Sequence, residues 1–139
     1  MRPPAVIVDT NVVVAGLLTA RDDSPVARSR DGMLGAASPS VVSEALLSEY
    51  RTVLLRPGLR TLHGLAIAEV DAILTDLAQH SIVLVPVIAP PASDPGDQLL
   101  WEMLAVRVDL VLVTGDKRLL RDVGMRGRVI SPQAFVQGV

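Results

Sequence analysis

Two short apolar runs in this chain end in the same way. Val6-Ile7-Val8 runs into Asp9, and Val111-Leu112-Val113 runs into Thr114-Gly115-Asp116. A β-branched run of this length, stopped by polar and turn-forming residues, reads as a strand buried on both faces. Strands buried on both faces belong to parallel sheets covered by helices. In a parallel sheet the C-terminal strand ends share one edge, which is where α/β folds build sites. Asp9 and Asp116 are therefore expected at one edge.

The chain between them alternates in the same sense. Asn11 can cap a helix over 12–18. Ser24 and Pro25 suit the start of a short helix reaching Met33. Residues 38–42 read as a second strand, weakened by Pro39. Ser43 can cap a helix in which Leu46, Leu47, Tyr50, Val53 and Leu54 recur at helical spacing, and Arg56-Pro57-Gly58 stops it. A linker through Gly64 leads to a second amphipathic helix with Ile67, Val70, Ile73, Leu74 and Leu77 on one face. Residues 82–87 read as a third strand. A loop with Pro90, Pro91, Pro95 and Gly96 delivers Asp94 and Asp97, and a helix runs from Asp97 to about Arg107. Strand 109–113, a short helix over 117–122, strand 128–130 and a helix opened by Pro132 complete the chain. This alternation places it in the α/β class, as a three-layer α/β/α arrangement. The central sheet is expected to be mostly parallel, of about four to five strands, with helices on both faces. The 139 residues fit one domain, 1–139, with no internal repeat or interdomain linker.

Composition removes several chemistries. There is no Cys, which excludes disulfides, thiolate metal sites and Cys nucleophiles. Neither a G-x-G-x-x-G nor a P-loop pattern occurs. The net charge of −2, with no basic block, argues against an extended nucleic-acid interface but not against a small catalytic one. All the Lys and Arg residues except Lys117 are Arg, which reads mainly as genomic composition bias, though Arg also suits phosphate. Tyr50, Trp101 and Phe135 are the only aromatics, so the core must be Val, Leu, Ile and Ala. No stretch has transmembrane length, and the apolar run before Asp9 is too short for a signal segment, so a cytoplasmic location is expected, without a membrane.

Two acids at one sheet edge repel each other and raise each other's pKa unless a cation lies between them. Asp97, opening a helix after a Pro/Gly loop, is a third acid facing that edge, with Asp94 as its competitor. Glu49, on the helix after the second strand, is a fourth, and a helical wheel does not separate it from Glu44. Such an all-oxygen set suits a hard divalent ion, Mg²⁺ or Mn²⁺, that keeps several waters. Zinc is disfavoured, because His63 and His80 lie far from these motifs. Each acid also has a plainer reading: Asp97 as a helix N-cap, Asp9 and Asp116 as turn residues, Glu49 as a solvated helix flank. His63 reads as a loop residue and His80 as a helix-end residue. Trp101 and Met103 read as packing. Arg51, Arg56 and Arg60 read as exposed helix flanks that could touch phosphate, and Glu69, Asp71 and Asp76 as solvated surface.

The ordered set Val8-Asp9-Thr10-Asn11-Val12, the stretch 43–54 (SEALLSEYRTVL), Asp94-Pro95-Gly96-Asp97, and the stretch 113–120 (VTGDKRLL) resembles the PIN-domain family. It is most similar to the branch described as toxins of VapBC-type toxin–antitoxin pairs, and the resemblance covers essentially the whole chain. It implies a PIN fold and a metal-dependent ribonuclease. It carries the family acids onto Asp9, Glu49, Asp97 and Asp116, and supporting polar residues onto Asn11 and Thr114. It also implies a homodimer and an antitoxin that blocks the site. The chain departs from the pattern at Gly96 and Gln98, where relatives often carry another acid or an Asn.

Within that resemblance Asp9, Asp97 and Asp116 are the expected metal ligands, with RNA as substrate. Two rivals follow from the same residues. One is a PIN-like module that binds RNA or a protein without turnover. The other is a phosphotransfer enzyme with Asp9 as nucleophile, which Asp9-Thr10-Asn11 disfavours because it lacks a second acid two residues on.

Overall fold

The computed structural model describes residues 5–18, 40–87, 95–122 and 128–138. The first strand, β1 (Val6–Val8), leads directly into helix α1 (Thr10–Leu18). Strand β2 (Ser40–Val42) is followed by α2 (Glu44–Leu54), α3 (Pro57–His63) and α4 (Ile67–Gln79). Strand β3 (Ser81–Val83) comes next, then a 3₁₀ turn (Pro95–Asp97) and helix α5 (Gln98–Leu104). Strand β4 (Val111–Val113), α6 (Lys117–Leu120), β5 (Val129–Ile130) and α7 (Pro132–Gly138) end the described chain.

The five strands form one parallel sheet in the order β3-β2-β1-β4-β5. The expected α/β/α architecture with a parallel sheet is thus the observed one. Chain order runs outward from β1 to β3, then returns to place β4 on the other side of β1. The reversal falls between β1 and β4, the place where open α/β sheets leave a crevice beyond the strand ends. These two strands pair over their whole length, Val6 with Val111, Ile7 with Leu112 and Val8 with Val113. The ladder continues one residue further, because the Asp9 N–H donates to the Val113 carbonyl at 2.9 Å. That bond fixes Asp9 at the start of the crevice.

The core is mostly aliphatic, but against the expectation of Val, Leu, Ile and Ala alone it also takes in Tyr50, Trp101 and Phe135, which are all buried. All of β1 is buried, and Leu46, Tyr50 and Leu54 of α2 are fully buried against the sheet layer. Val70, Leu74 and Leu77 of α4 continue the core, and Leu100, Trp101, Met103 and Leu104 of α5 complete it. Trp101 and Met103 are therefore packing residues.

Several boundaries differ from the sequence expectation, each for a local reason. Pro57 stops α2 but also opens α3, where the expected linker would run. Its missing N–H costs nothing at the first helical position. Gly64 then ends α3 in the left-handed conformation, with φ 67°. Strand β3 stops at Val83, followed by one more ladder bond from the Leu84 N–H to the Val42 carbonyl at 2.9 Å. Pro86 has no N–H to extend it. The short β3 is an edge strand and leaves Val83 and Val85 exposed. Helix α5 ends at Leu104, not near Arg107. The Arg128 guanidinium donates to the Leu104 carbonyl at the helix end at 2.8 Å and, beyond the helix, to the Arg107 carbonyl at 2.6 Å. The helix expected over 24–33 lies outside the described residues. No described helix is long and apolar enough to cross a membrane.

Candidate active site

Asp9 sits between β1 and α1, and its main chain builds the helix start. Its carbonyl accepts from the Val12 and Val13 N–H groups at 3.0 and 3.3 Å. The helix begins at Thr10, one residue before the expected cap at Asn11. The Asp9 side chain is buried, with the residue 8% exposed. Burial pushes its carboxyl pKa above the ordinary value. Hydrogen bonds from the Thr114 side chain and the Thr10 backbone oppose the rise, and the charges of Glu49 and Asp116 add to it.

Thr114, at the end of β4, is fully buried. Its hydroxyl donates to Asp9 Oδ2 at 2.6 Å and accepts the Asp116 N–H at 3.1 Å. One hydroxyl thus couples the two strand-end acids. Asp116 caps α6, as Oδ1 accepts the Arg118 N–H at 2.9 Å. Partial desolvation pushes the Asp116 pKa up. The backbone and guanidinium hydrogen bonds from Arg118 and its charge outweigh this, so the net shift is downward. The two acids at one edge are therefore driven in opposite directions, Asp9 by burial and Asp116 by Arg118.

Asp97 stands at the N-cap position of α5, yet its carboxylate makes no capping bond. It accepts from Arg118 Nη2 at 3.0 Å, and the same nitrogen lies 3.2 Å from Asp116 Oδ2. The chain thereby brings Asp97 and Asp116 to one cation.

Glu49 and Glu44 separate cleanly in space. Glu49 accepts a hydrogen bond from the Thr10 hydroxyl, the residue next to Asp9. Glu44 is exposed in the first turn of α2, beside Val83, Leu84 and Pro86. The next residue after Glu49, Tyr50, is fully buried and donates its phenol to the Val8 carbonyl, directly before Asp9. Its phenol pKa is pushed well up, first by burial and then by the charges of Asp9 and Glu49. Asn11 is exposed in the first turn of α1, and the hydroxyls that hold the carboxylates are those of Thr10 and Thr114. Asp94 lies outside the described residues.

Among the described residues no three His, Asp or Glu side chains stand close enough together to hold a metal unaided. The acids instead form two linked sets, Asp9 with Thr114 and Asp116, and Asp97 and Asp116 with Arg118. His63 serves packing. Its Nδ1 accepts the Leu65 N–H at 2.9 Å, so Nε2 carries the proton and donates to the Leu54 carbonyl at 2.8 Å. It lies in the last turn of α3 and joins α3 to the end of α2, where a free loop residue was expected. His80 closes α4 through the Asp76 carbonyl at 2.8 Å, as a helix-end residue does. Arg51 is held by Asp71 at 2.7 Å. Asp71 is therefore an ion-pair partner, not merely solvated surface.

Three site residues were not singled out from the sequence. Thr10 was visible only as the middle of Asp-Thr-Asn. Tyr50 read as part of an apolar helix face, and nothing in that periodicity marks where its hydroxyl goes. Arg118 read only as part of the motif after Asp116.

No curated protein matches the chain. A family model for the PIN domain matches residues 5–118, which span β1 to the start of α6 and contain all four acids. The PIN domain is a nuclease-type fold, its members are generally hydrolases, and they typically bind divalent metals. With this match over most of its length, the chain belongs to the PIN-domain family.

Proposed function

We propose that this protein is a Mg²⁺- or Mn²⁺-dependent endoribonuclease, acting as the toxin of a toxin–antitoxin pair. One observation carries the reading. Asp9 and Asp116 end adjacent parallel strands at the reversal of the sheet and are coupled through the Thr114 hydroxyl.

The donor chemistry fits a hard divalent ion. All the candidate ligands are carboxylate oxygens, and Mg²⁺ commonly binds through one or two carboxylates while keeping several waters. Asp9 is held in a buried, acid-flanked place where ionisation is costly, and a cation removes that cost. Asp9, Asp97 and Asp116 would hold the ion. Once bound, it supplies charge neutralisation and Lewis acidity toward a phosphodiester. Thr114 keeps the Asp9 carboxylate oriented, as a metal ligand's partner should. Glu49, held by Thr10, is set to take the proton of the attacking water. The water would attack phosphorus in line, the P–O bond to the leaving oxygen would break, and that oxygen would take up a proton from solvent. A cluster of acids alone repels RNA, so the ion serves binding as well as reaction.

The toxin role, the homodimer, the antitoxin partner and the cytoplasmic location rest on the resemblance of the ordered motifs. A second reading, a PIN module that binds RNA or protein without turnover, is favoured by one observation. No three acids are grouped among the described residues.

Cleavage of RNA by contaminant-free protein decides between them. The nuclease cleaves with Mg²⁺ or Mn²⁺, stops with EDTA, and loses activity in Asp9→Asn and Asp116→Asn. Variants that cleave as well as the wild type contradict the metal-site assignment. A wild type that binds RNA but never cleaves at any metal concentration supports the binding module. A small DNA-binding protein encoded in the adjacent reading frame, inhibiting cleavage when added, is the expected antitoxin.

A further inference from the structure

The Asp97–Asp116 pair already has a cation. Arg118 Nη2 lies 3.0 Å from Asp97 Oδ2 and 3.2 Å from Asp116 Oδ2, so one nitrogen bridges the two carboxylates. Among the described residues, the ion pairs Arg51–Asp71 and Arg107–Asp109 each join one acid to one base. The placement of Asp97 agrees with this bridge. It occupies a helix N-cap position without capping, and its carboxylate is turned to Arg118.

The bridge is built to open. The Arg118 side chain is 54% exposed, against 16% for Asp97 and 29% for Asp116. The guanidinium end of the bridge is exposed, so solvent screens the pair, while the carboxylates it would leave are mostly covered and call for another cation. Arg118 is also anchored by its backbone, because its N–H bonds Asp116 Oδ1 whatever the side chain does. The guanidinium can thus leave the acids while its base stays at the sheet edge. A divalent ion shared by Asp97 and Asp116 cannot sit beside a guanidinium in the same gap, since like charges at contact distance repel strongly.

We propose that Arg118 is a built-in competitor of the metal, which occupies the Asp97–Asp116 gap in the metal-free protein and is displaced when the ion binds. The displaced guanidinium then contacts the phosphate backbone of the RNA. Its planar fork of donors matches phosphate, and it becomes available only when the acids are neutralised. RNA binding is thereby tied to metal loading. The RNA step rests on the nuclease reading above, whereas the competition step rests only on metal binding.

Mn²⁺ titration of the purified full chain tests the first step without reference to activity. Arg118→Gln is expected to bind Mn²⁺ about three- to tenfold more tightly than the wild type, because an internal cation is removed. Arg118→Lys, which keeps the charge, is expected to stay within about twofold of the wild type. At saturating Mn²⁺, binding of an uncleavable single-stranded RNA analogue by Arg118→Gln should weaken about tenfold. Its salt slope should fall by about 0.7–1, the share of one phosphate contact. Equal or weaker Mn²⁺ binding by Arg118→Gln, or Arg118→Lys behaving like Arg118→Gln, overturns the competition and leaves the nuclease assignment standing. Unchanged RNA affinity and slope overturn the phosphate contact. A wild type that binds Mn²⁺ but cleaves no RNA removes the nuclease reading, while the ratio of Mn²⁺ affinities still decides the competition. A wild type that binds no Mn²⁺ overturns both.

Discussion

The Thr114 hydroxyl donates to Asp9 Oδ2 at 2.6 Å across the β1–β4 boundary, joining residues 105 positions apart in sequence. Both partners are buried, so the bond is not replaced by water when it is lost. Thr114→Val keeps the shape of the side chain and removes the donor. A buried carboxylate that loses this donor and keeps only the Thr10 backbone hydrogen bond is destabilised by about 1–3 kcal/mol, which denaturant unfolding reads directly. The loosened ligand should also lower metal affinity or cleavage by about 10–100-fold.

Asp9 gives the metal-free protein a signature in pH. Burial raises its pKa in the folded state, so the folded protein holds that proton more tightly than the unfolded chain. Stability therefore falls as pH rises from the ordinary value, 3.8, through the raised folded value. Asp116 runs the other way. Its pKa is lowered overall, because the Arg118 contacts outweigh its desolvation, so its stabilisation is present above 3.8 and lost as pH falls through the folded value. Asp9→Asn should thus stabilise the metal-free protein at pH 7 by about 0.5–2 kcal/mol, as removal of a strained site group commonly does. The gain should vanish below 3.8, where Asp9 is protonated in both states. Thermal unfolding in EDTA across that range measures both effects. A variant no more stable than the wild type at pH 7 contradicts the buried-charge account.

Glu49 and Glu44 lie on the same helix but have different surroundings. Glu49 is tied to Thr10, and Glu44 is exposed. Glu49→Gln should reduce cleavage by about 10²–10⁴-fold if it takes the water's proton. Glu44→Gln should stay within about twofold, since exposed substitutions away from a site change little. Single-turnover cleavage of one RNA by both variants measures the contrast. Equal loss in the two, or loss only in Glu44→Gln, contradicts the placement of the base.

Tyr50 supports the site from beneath. Its buried phenol donates to the Val8 carbonyl, one residue before Asp9. Tyr50→Phe removes a single hydroxyl and should cost about 1–2 kcal/mol in unfolding free energy. Because the loss falls at the strand end that carries Asp9, metal affinity should weaken as well. Stability loss with unchanged metal affinity would reduce Tyr50 to a packing residue.

The strand-end acids were legible because Val6-Ile7-Val8 and Val111-Leu112-Val113 are unambiguous runs, and parallel pairing puts their ends at one edge. What was not legible depends on packing between distant segments. That Glu49 and not Glu44 meets Thr10 is set by α1 lying against α2, which brings the two together across 39 positions. No periodicity within α2 contains that fact. Pro57 carries two local meanings, a stop for α2 and a first helical residue for α3, and only the continuation through His63 decides. The supporting role expected of Asn11 rests on the family resemblance, and its side chain is exposed in the first turn of α1. The helix starts one residue earlier, and the hydroxyls of Thr10 and Thr114 do the holding. Arg118 was hidden for a further reason: its partner Asp97 arrives from a loop, whose path no local pattern fixes.

The central claim is that Asp9, Asp97 and Asp116 share one divalent ion. Anomalous diffraction from crystals grown with Mn²⁺ tests it most directly. The account predicts a single strong peak beyond the ends of β1 and β4, with carboxylate oxygens of Asp9, Asp97 and Asp116 within about 2.5 Å and the Arg118 guanidinium withdrawn from Asp97. Mn²⁺ bound elsewhere, or no peak at that edge in protein that cleaves RNA, contradicts it.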